Sequence, residues 1–392
     1  MTRLTDLRAG ASHGVPVFDA TVFGGQLYFQ AQDDSTGTDL WRYDGVNAPT
    51  MVAGTDDIAP SGLVVWDGAL YFAATLAGDR ELWRYDGVNP PTEVLDLAPA
   101  ASSSPAELTP FDDRLCFRAN LPSLGLELAC WDGDGPAELF DLRPGATGSG
   151  PEELTVVGAE LYLSAQNDAT GREPWSFDGL AAPTQMDDLR PGAASSNPAN
   201  FVSFGGALHF RASDGSGQGR LWRRIGSAPP ELLSDEFDIE GGLVAYQGEL
   251  LVDGFLEDDE GIGQRLQRFT SSSFQPLSTT IDGLQDYILV GANSFTPLSG
   301  ALYFLGSQAT TATGDLYRYC GAGIGSIQRV TDAFAAGGDY VQANVVPFQG
   351  RLLFTARTDG FGAELWQLEP DQRVSCDGFE SGTTANWSST TP

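Results

Sequence analysis

The stretch Glu81-Leu82-Trp83-Arg84-Tyr85-Asp86-Gly87 returns along the chain at nearly constant spacing, and that recurrence decides the fold. Near copies are Asp39-Leu40-Trp41-Arg42-Tyr43-Asp44-Gly45 and Glu173-Pro174-Trp175-Ser176-Phe177-Asp178-Gly179. Looser ones fall around Trp222, Leu266, Tyr317 and Trp366, and Glu127-Leu128-Ala129-Cys130-Trp131-Asp132-Gly133 completes eight. An apolar-aromatic-apolar run precedes each copy, starting at Leu27, Leu70, Leu115, Leu161, Leu208, Leu250, Leu302 and Leu352, at intervals of 42 to 52 residues. A period in this range means a propeller or a solenoid.

The fourth unit shows the internal plan. Residues from Glu153 to Val157 alternate, Gly158-Ala159 turns, Leu161 to Ala165 alternates, Glu173 to Phe177 alternates, and Gln185 to Leu189 closes the unit. Four short strands per repeat fit a propeller blade, whereas a solenoid rung needs fewer strands and a shorter repeat. The chain opens on Leu4-Thr5-Asp6-Leu7-Arg8-Ala9-Gly10, which matches segments late in other repeats, such as Asp141-Leu142-Arg143-Pro144-Gly145. It lacks that segment after Trp366, so the strand around Arg3 to Leu7 is expected to complete the last blade and close the ring. The expected architecture is all-β, a single eight-bladed propeller of four-stranded antiparallel blades over residues 1–370. A polar tail over 371–392 follows. The weak match of the sixth unit leaves a seven-bladed ring as the alternative.

Composition bounds the partners. Asp and Glu number 53 against 21 basic residues, a formal net charge of −32, which repels nucleic acid and anionic membranes. Every basic residue is Arg, so Schiff-base lysines and the phosphate-loop lysine are both excluded. No apolar run is long enough to span a membrane, and the first residues carry no signal-peptide core. The placement of the four cysteines leans towards an oxidising compartment, so a secreted or cell-surface protein is expected, its signal peptide missing from this sequence.

The units resemble the ELWxxDGT repeat of bacterial, mostly exported, proteins, carried by Glu81 to Gly87, Asp141 to Gly145 and Leu70 to Phe72. Val46, Val88 and Leu180 stand where that repeat has Thr. The resemblance implies a repeat type and no particular activity.

Candidate sites follow from the loops. Those between the second and third strands carry Asp33, Asp34, Asp168, Asp214, Asp258 and Asp359, with Asn167, a recurrence of carboxylates that would suit calcium. Turn geometry alone also favours Asp and Asn there. Trp41, Trp83, Trp175, Trp222 and Trp366 recur once per unit and read as packing between blades. Trp66 and Trp131 lie off that register and are the expected exposed binding surface, together with Asn167. Cys116 and Cys130 replace Tyr71 and Arg84 of the second unit. Setting them opposite one another also sets Leu121 opposite Gly125, leaving a three-residue loop, so a disulfide is expected, with Cys320 and Cys376 left to tie the tail to the seventh or eighth blade.

Catalysis has few residues to rest on. Only His13 and His209 occur, and no metal-protease helix, nucleophile elbow or phosphate loop is present. The expectation is therefore a chain that is not an enzyme and holds no cofactor beyond calcium. It would be an exported binding propeller presenting an acidic face to a glycan, a protein or another copy of itself, without inserting into a membrane. A propeller hydrolase or lyase acting on polysaccharide through an acid pair is the alternative.

Overall fold

A computed structural model describes residues 2–8, 12–15, 18–99, 101–216, 219–235, 237–256, 265–270, 273–277, 280–281, 284–285, 288–290, 295–308, 315–321, 327–330, 340–358 and 361–369. They form an eight-bladed β-propeller of four-stranded antiparallel blades, with no helix among the described residues. Blades 1 to 7 span 20–51, 61–95, 106–140, 152–185, 199–234, 237–276 and 288–329, and blade 8 spans 340–368 plus Thr2–Arg3. Blade 7 departs slightly, its inner strand being split into Ile288–Val290 and Thr296–Leu298. A small hairpin of Thr280–Ile281 and Leu284–Gln285 stands between blades 6 and 7.

The recurring anchors are in one register throughout. Leu27, Leu70, Leu115 and Leu161 each open a second strand and face Tyr43, Tyr85, Trp131 and Phe177 on the third, and the other four blades repeat the pairing. Alternation with a period of two sends successive side chains to opposite faces of each blade. Both faces are buried, because each blade is packed between two neighbours. Eight apolar clusters result, one in each gap. Trp83 with Leu70 and Phe72 fills the gap between blades 1 and 2, and Leu82 with Tyr71 fills the gap between blades 2 and 3.

The ring closes where the two ends meet. Thr2 pairs with Gln367 and Arg3 with Trp366, and the amide of Leu4 donates to the carbonyl of Leu365 at 2.8 Å. Only this outer strand is joined to its blade without a covalent turn.

The Glu of each Glu-Leu-Trp copy is buried and clamps the connection that runs on to the next blade. Glu127 takes four donors: the amides of Leu142 (3.3 Å), Arg143 (3.1 Å) and Ser149 (2.9 Å), and the Ser149 hydroxyl. Glu173 holds the amide of Leu189 and both donors of Ser196, and Glu81 holds both donors of Ser103. Burial pushes all three carboxyls up, and the hydrogen bonds only partly offset it. Blade 5 inverts the pattern. Arg220 takes the Glu position, and Asp238, whose Oδ1 accepts the Gly219 amide at 2.8 Å, takes the Ser position, with both side chains buried.

Candidate functional site: the axial channel

Inner strands of neighbouring blades lie side by side around the axis and wall the central channel. Each inner strand contributes one exposed residue just before its turn: Val22, Val65, Pro110, Val156, Ser203, Ala245, Pro297 and Pro347. Their positions are equivalent, since each pairs with the leucine that opens the second strand of its own blade. The three valines are 42%, 37% and 39% exposed, which is unusual for a residue inside a four-stranded blade. The channel thus carries a complete collar of small uncharged side chains. None of the eight is acidic in a chain of net charge −32.

Three residues before the collar, about 10 Å along an extended strand, the inner strands are bulged. The pairing register shifts between Ser61 and Val64, Ala106 and Thr109, Glu152 and Thr155, and Ala199 and Val202. Gly62, Glu107, Glu153 and Asn200 sit at these bulges with φ of 67°, 60°, 61° and 56°. A side chain in this left-handed region costs about 1 kcal/mol, so Glu and Asn persist there only because the surroundings hold them. Those surroundings are the next blade. Glu153 accepts the Asn200 amide at 2.9 Å, Asp19 accepts the amide of Gly62, and Glu107 accepts a backbone donor from Leu154. Arginines brace the same belt. Glu152 lies between Arg118 (3.3 Å) and Arg172 (3.6 Å), while Arg80 donates to Ala59 and Ser61, and Arg211 to Ile239. This belt fixes the spacing of the blades and, among the described residues, leaves no carboxylate pair set apart from a cation. The sequence does carry a sign of it, a Pro two residues before each bulge (Pro60, Pro105, Pro151, Pro198), but hydrophobic alternation reads straight through.

The loop carboxylates are engaged locally. Asp33 accepts the amides and hydroxyls of Ser35 and Thr36, and these donors hold its carboxyl down to about 2. Asp34 pairs with Arg8, Asp168 with Arg143 at 2.6 Å, and Asp214 accepts the amide of Ser216. Asn167 caps its own loop through the amides of Ala169 and Thr170. Among the described residues no three His, Cys, Asp or Glu side chains converge on a cation position. Asp258 and Asp359 lie outside the described residues.

Two of these pairs, Arg8 with Asp34 and Arg143 with Asp168, join an Arg ahead of a blade to an Asp in the loop of that blade. Where Arg8, Arg143 or Arg190 precedes a blade, the next loop has Asp34, Asp168 or Asp214. Where Ala98 stands instead, the next loop is Pro122-Ser123-Leu124.

Trp66 and Trp131 are not an exposed surface. They pack on one another with ring centroids 5.9 Å apart, enclose Tyr71, and are buried in the gap between blades 2 and 3. Trp131 occupies the position of Tyr85 and Phe177, and Trp66 that of Phe23 and Phe111, so both fill aromatic positions of the repeat. His209 is likewise structural: burial lowers its pKa, and it meets Phe204 edge-on. His13 uses Nδ1 to accept the amide of Ala363 at 2.8 Å. Cys116 lies opposite Cys130 in register, Leu121 lies opposite Gly125, and the two sulfurs are bonded across a Cα separation of 4.0 Å. Cys320 is also disulfide-bonded, while Cys376 and the tail lie outside the described residues.

No family model matches the chain, and no curated protein matches it in sequence. Solved structures match its fold. A puromycin-hydrolyzing peptidase from Mycobacterium tuberculosis superposes with a TM-score of 0.50 at 15% identity, over 89% of this chain and 61% of that one. Oligopeptidase B from Trypanosoma brucei, with covalently bound antipain, gives 0.52 at 11% identity, over 80% of this chain and 47% of that one. A structure from a study of two prolyl endopeptidases gives 0.52 at 9% identity, over 86% and 54%. The chain therefore spans about half the length of the solved structures it resembles. These likenesses overturn the expectation of a chain that is not an enzyme, because the propellers it resembles belong to peptidases. At such low identity the likeness itself is one of fold.

Proposed function

We propose that this chain is an exported polypeptide-binding propeller of the ELWxxDGT-repeat type, taking an extended peptide or protein segment into its axial channel. The observation that carries this reading is the collar. Eight small uncharged side chains at equivalent positions ring the channel of a strongly acidic protein, and a surface kept free of charge in this way suits a polypeptide of varied sequence. A glycan platform is less well supported, because the off-register tryptophans are buried against one another. The fold likeness to a puromycin-hydrolyzing peptidase and to an oligopeptidase B with covalently bound antipain supports the same class of ligand.

The test is fluorescence anisotropy with a labelled, reduced and alkylated polypeptide, on the native chain and on Val65→Asp with Val156→Asp. The proposal expects saturable binding that falls at least about tenfold when carboxylates enter the collar, roughly the 1.4 kcal/mol that a desolvated charge readily exceeds. Absent binding, or binding indifferent to the collar, overturns it.

A further inference from the structure

The blade 8 to blade 1 seam uses the buried-glutamate clamp of the junctions at Glu81, Glu127 and Glu173, but lacks their serine donors. In blades 3, 4 and 5 the residue whose carbonyl receives the second-strand amide is a serine: Ser103 receives Asn120, Ser149 receives Gln166, and Ser196 receives Ser213. At the seam that residue is Gly14, whose carbonyl receives Gln32 at 2.7 Å. Gly14 has no hydroxyl, and its amide is turned to the carbonyl of Ala363 at 3.0 Å. Glu364, the clamp residue of blade 8, therefore loses both serine donors. Its Oε2 keeps the Thr5 hydroxyl at 2.6 Å and a long contact to the Leu7 amide at 3.4 Å. Its Oε1 is buried without a partner and lies against Gly14, where a Cβ would come within 2.5 Å of it.

We propose that the ring is gated at this seam, with Glu364 as a proton-operated latch: the seam stays closed while Glu364 is protonated and loosens when it ionises. A neutral carboxyl can leave one oxygen undonated at modest cost, whereas a buried carboxylate oxygen without a donor is strongly unfavourable. The groups facing Glu364 are Arg3 and Asp6 on the closing segment, with His13 on the segment that crosses it. Burial, reinforced by Asp6, raises the Glu364 carboxyl against the opposing pull of Thr5, Leu7 and Arg3. Stability from such a group is fully present below the value of an exposed Glu and is lost as pH rises through the raised value. Opening would release Thr2–Arg3 from Phe361–Leu368, the outer edge of blade 8.

Native-state hydrogen exchange across about pH 5 to 8 tests this, with each amide read as protection relative to its intrinsic rate. The latch predicts that the amides of Leu4, Gly14, Val15 and Leu365 lose about tenfold in protection relative to Arg143 and Ser149 as pH rises, the scale of leaving one buried acceptor oxygen undonated. In Glu364→Gln that loss disappears, leaving the protection of the seam constant across the range. Parallel behaviour of the seam and blade 3 to 4 amides in the native chain overturns the latch, even if the variant does not fold. Persistence of the loss in a folded Glu364→Gln overturns it equally.

Discussion

The junction between blades 3 and 4 and the seam between blades 8 and 1 are built from the same buried glutamate, yet they are held differently. Glu127 is met by four donors from a connection that is covalently continuous with blade 3. Glu364 is met by two, from a segment that arrives from the other end of the chain. The difference lies in the residue opposite the glutamate. Gly14 lies directly against the glutamate, where a Cβ would come within 2.5 Å of Oε1. The continuous connections at Glu127 and Glu173 supply Ser149 and Ser196 at this position. Between these two junctions, clamp strength thus follows the donors that the connection supplies to the glutamate.

Removing the seam segment should have the largest effect. Deleting Thr2 to Arg8 takes away the closing strand and both remaining Glu364 donors, and should cost at least about 4 kcal/mol in urea unfolding. A loss under about 1 kcal/mol would mean that the seam contributes little. On the other side of the comparison, replacing Cys116 and Cys130 together by Ala removes a cross-link spanning 14 residues within blade 3. A loss of about 3 kcal/mol is expected, largely through a less restricted unfolded chain. If seam amides lost protection as much as blade 3 amides, the two regions would not be independent.

Smaller effects separate clamps from surface pairs. Arg143→Ala removes the contact to Asp168, an exposed partner, and should cost about 0.5 kcal/mol, with the effect shrinking in high salt. Asp33 tests the opposite pH sign. Its lowered carboxyl contributes stability above the ordinary value of 3.8 that is lost as pH falls through about 2, so Asp33→Asn should flatten the acid limb of the melting profile slightly. A flattening confined to neutral pH would contradict the assignment.

Much of the fold was legible because the repeat sets one register for every blade. The leucine anchors, the cysteine pair and the closing strand all followed from aligning units. The buried clamps were less legible, since Glu81 and Ser103, or Glu127 and Ser149, lie 22 residues apart and belong to different repeats by any count from the tryptophan. Trp66 and Trp131 misled because they sit off the tryptophan register while occupying aromatic positions of their own. The loop aspartates were legible as a recurrence, but their arginine partners belong to the preceding unit, so the pairing appears only when blades stand side by side. The collar could not be seen as apolar alternation, because its members face an axis that no single repeat contains.

The most direct measurement compares Glu127→Ala with Glu364→Ala by urea unfolding at neutral pH. Four stranded donors against two predict a loss of about 4 kcal/mol at Glu127 and about 2 kcal/mol or less at Glu364. Equal losses, or a larger one at Glu364, would contradict the claim that the connection rather than the glutamate sets the strength of each junction.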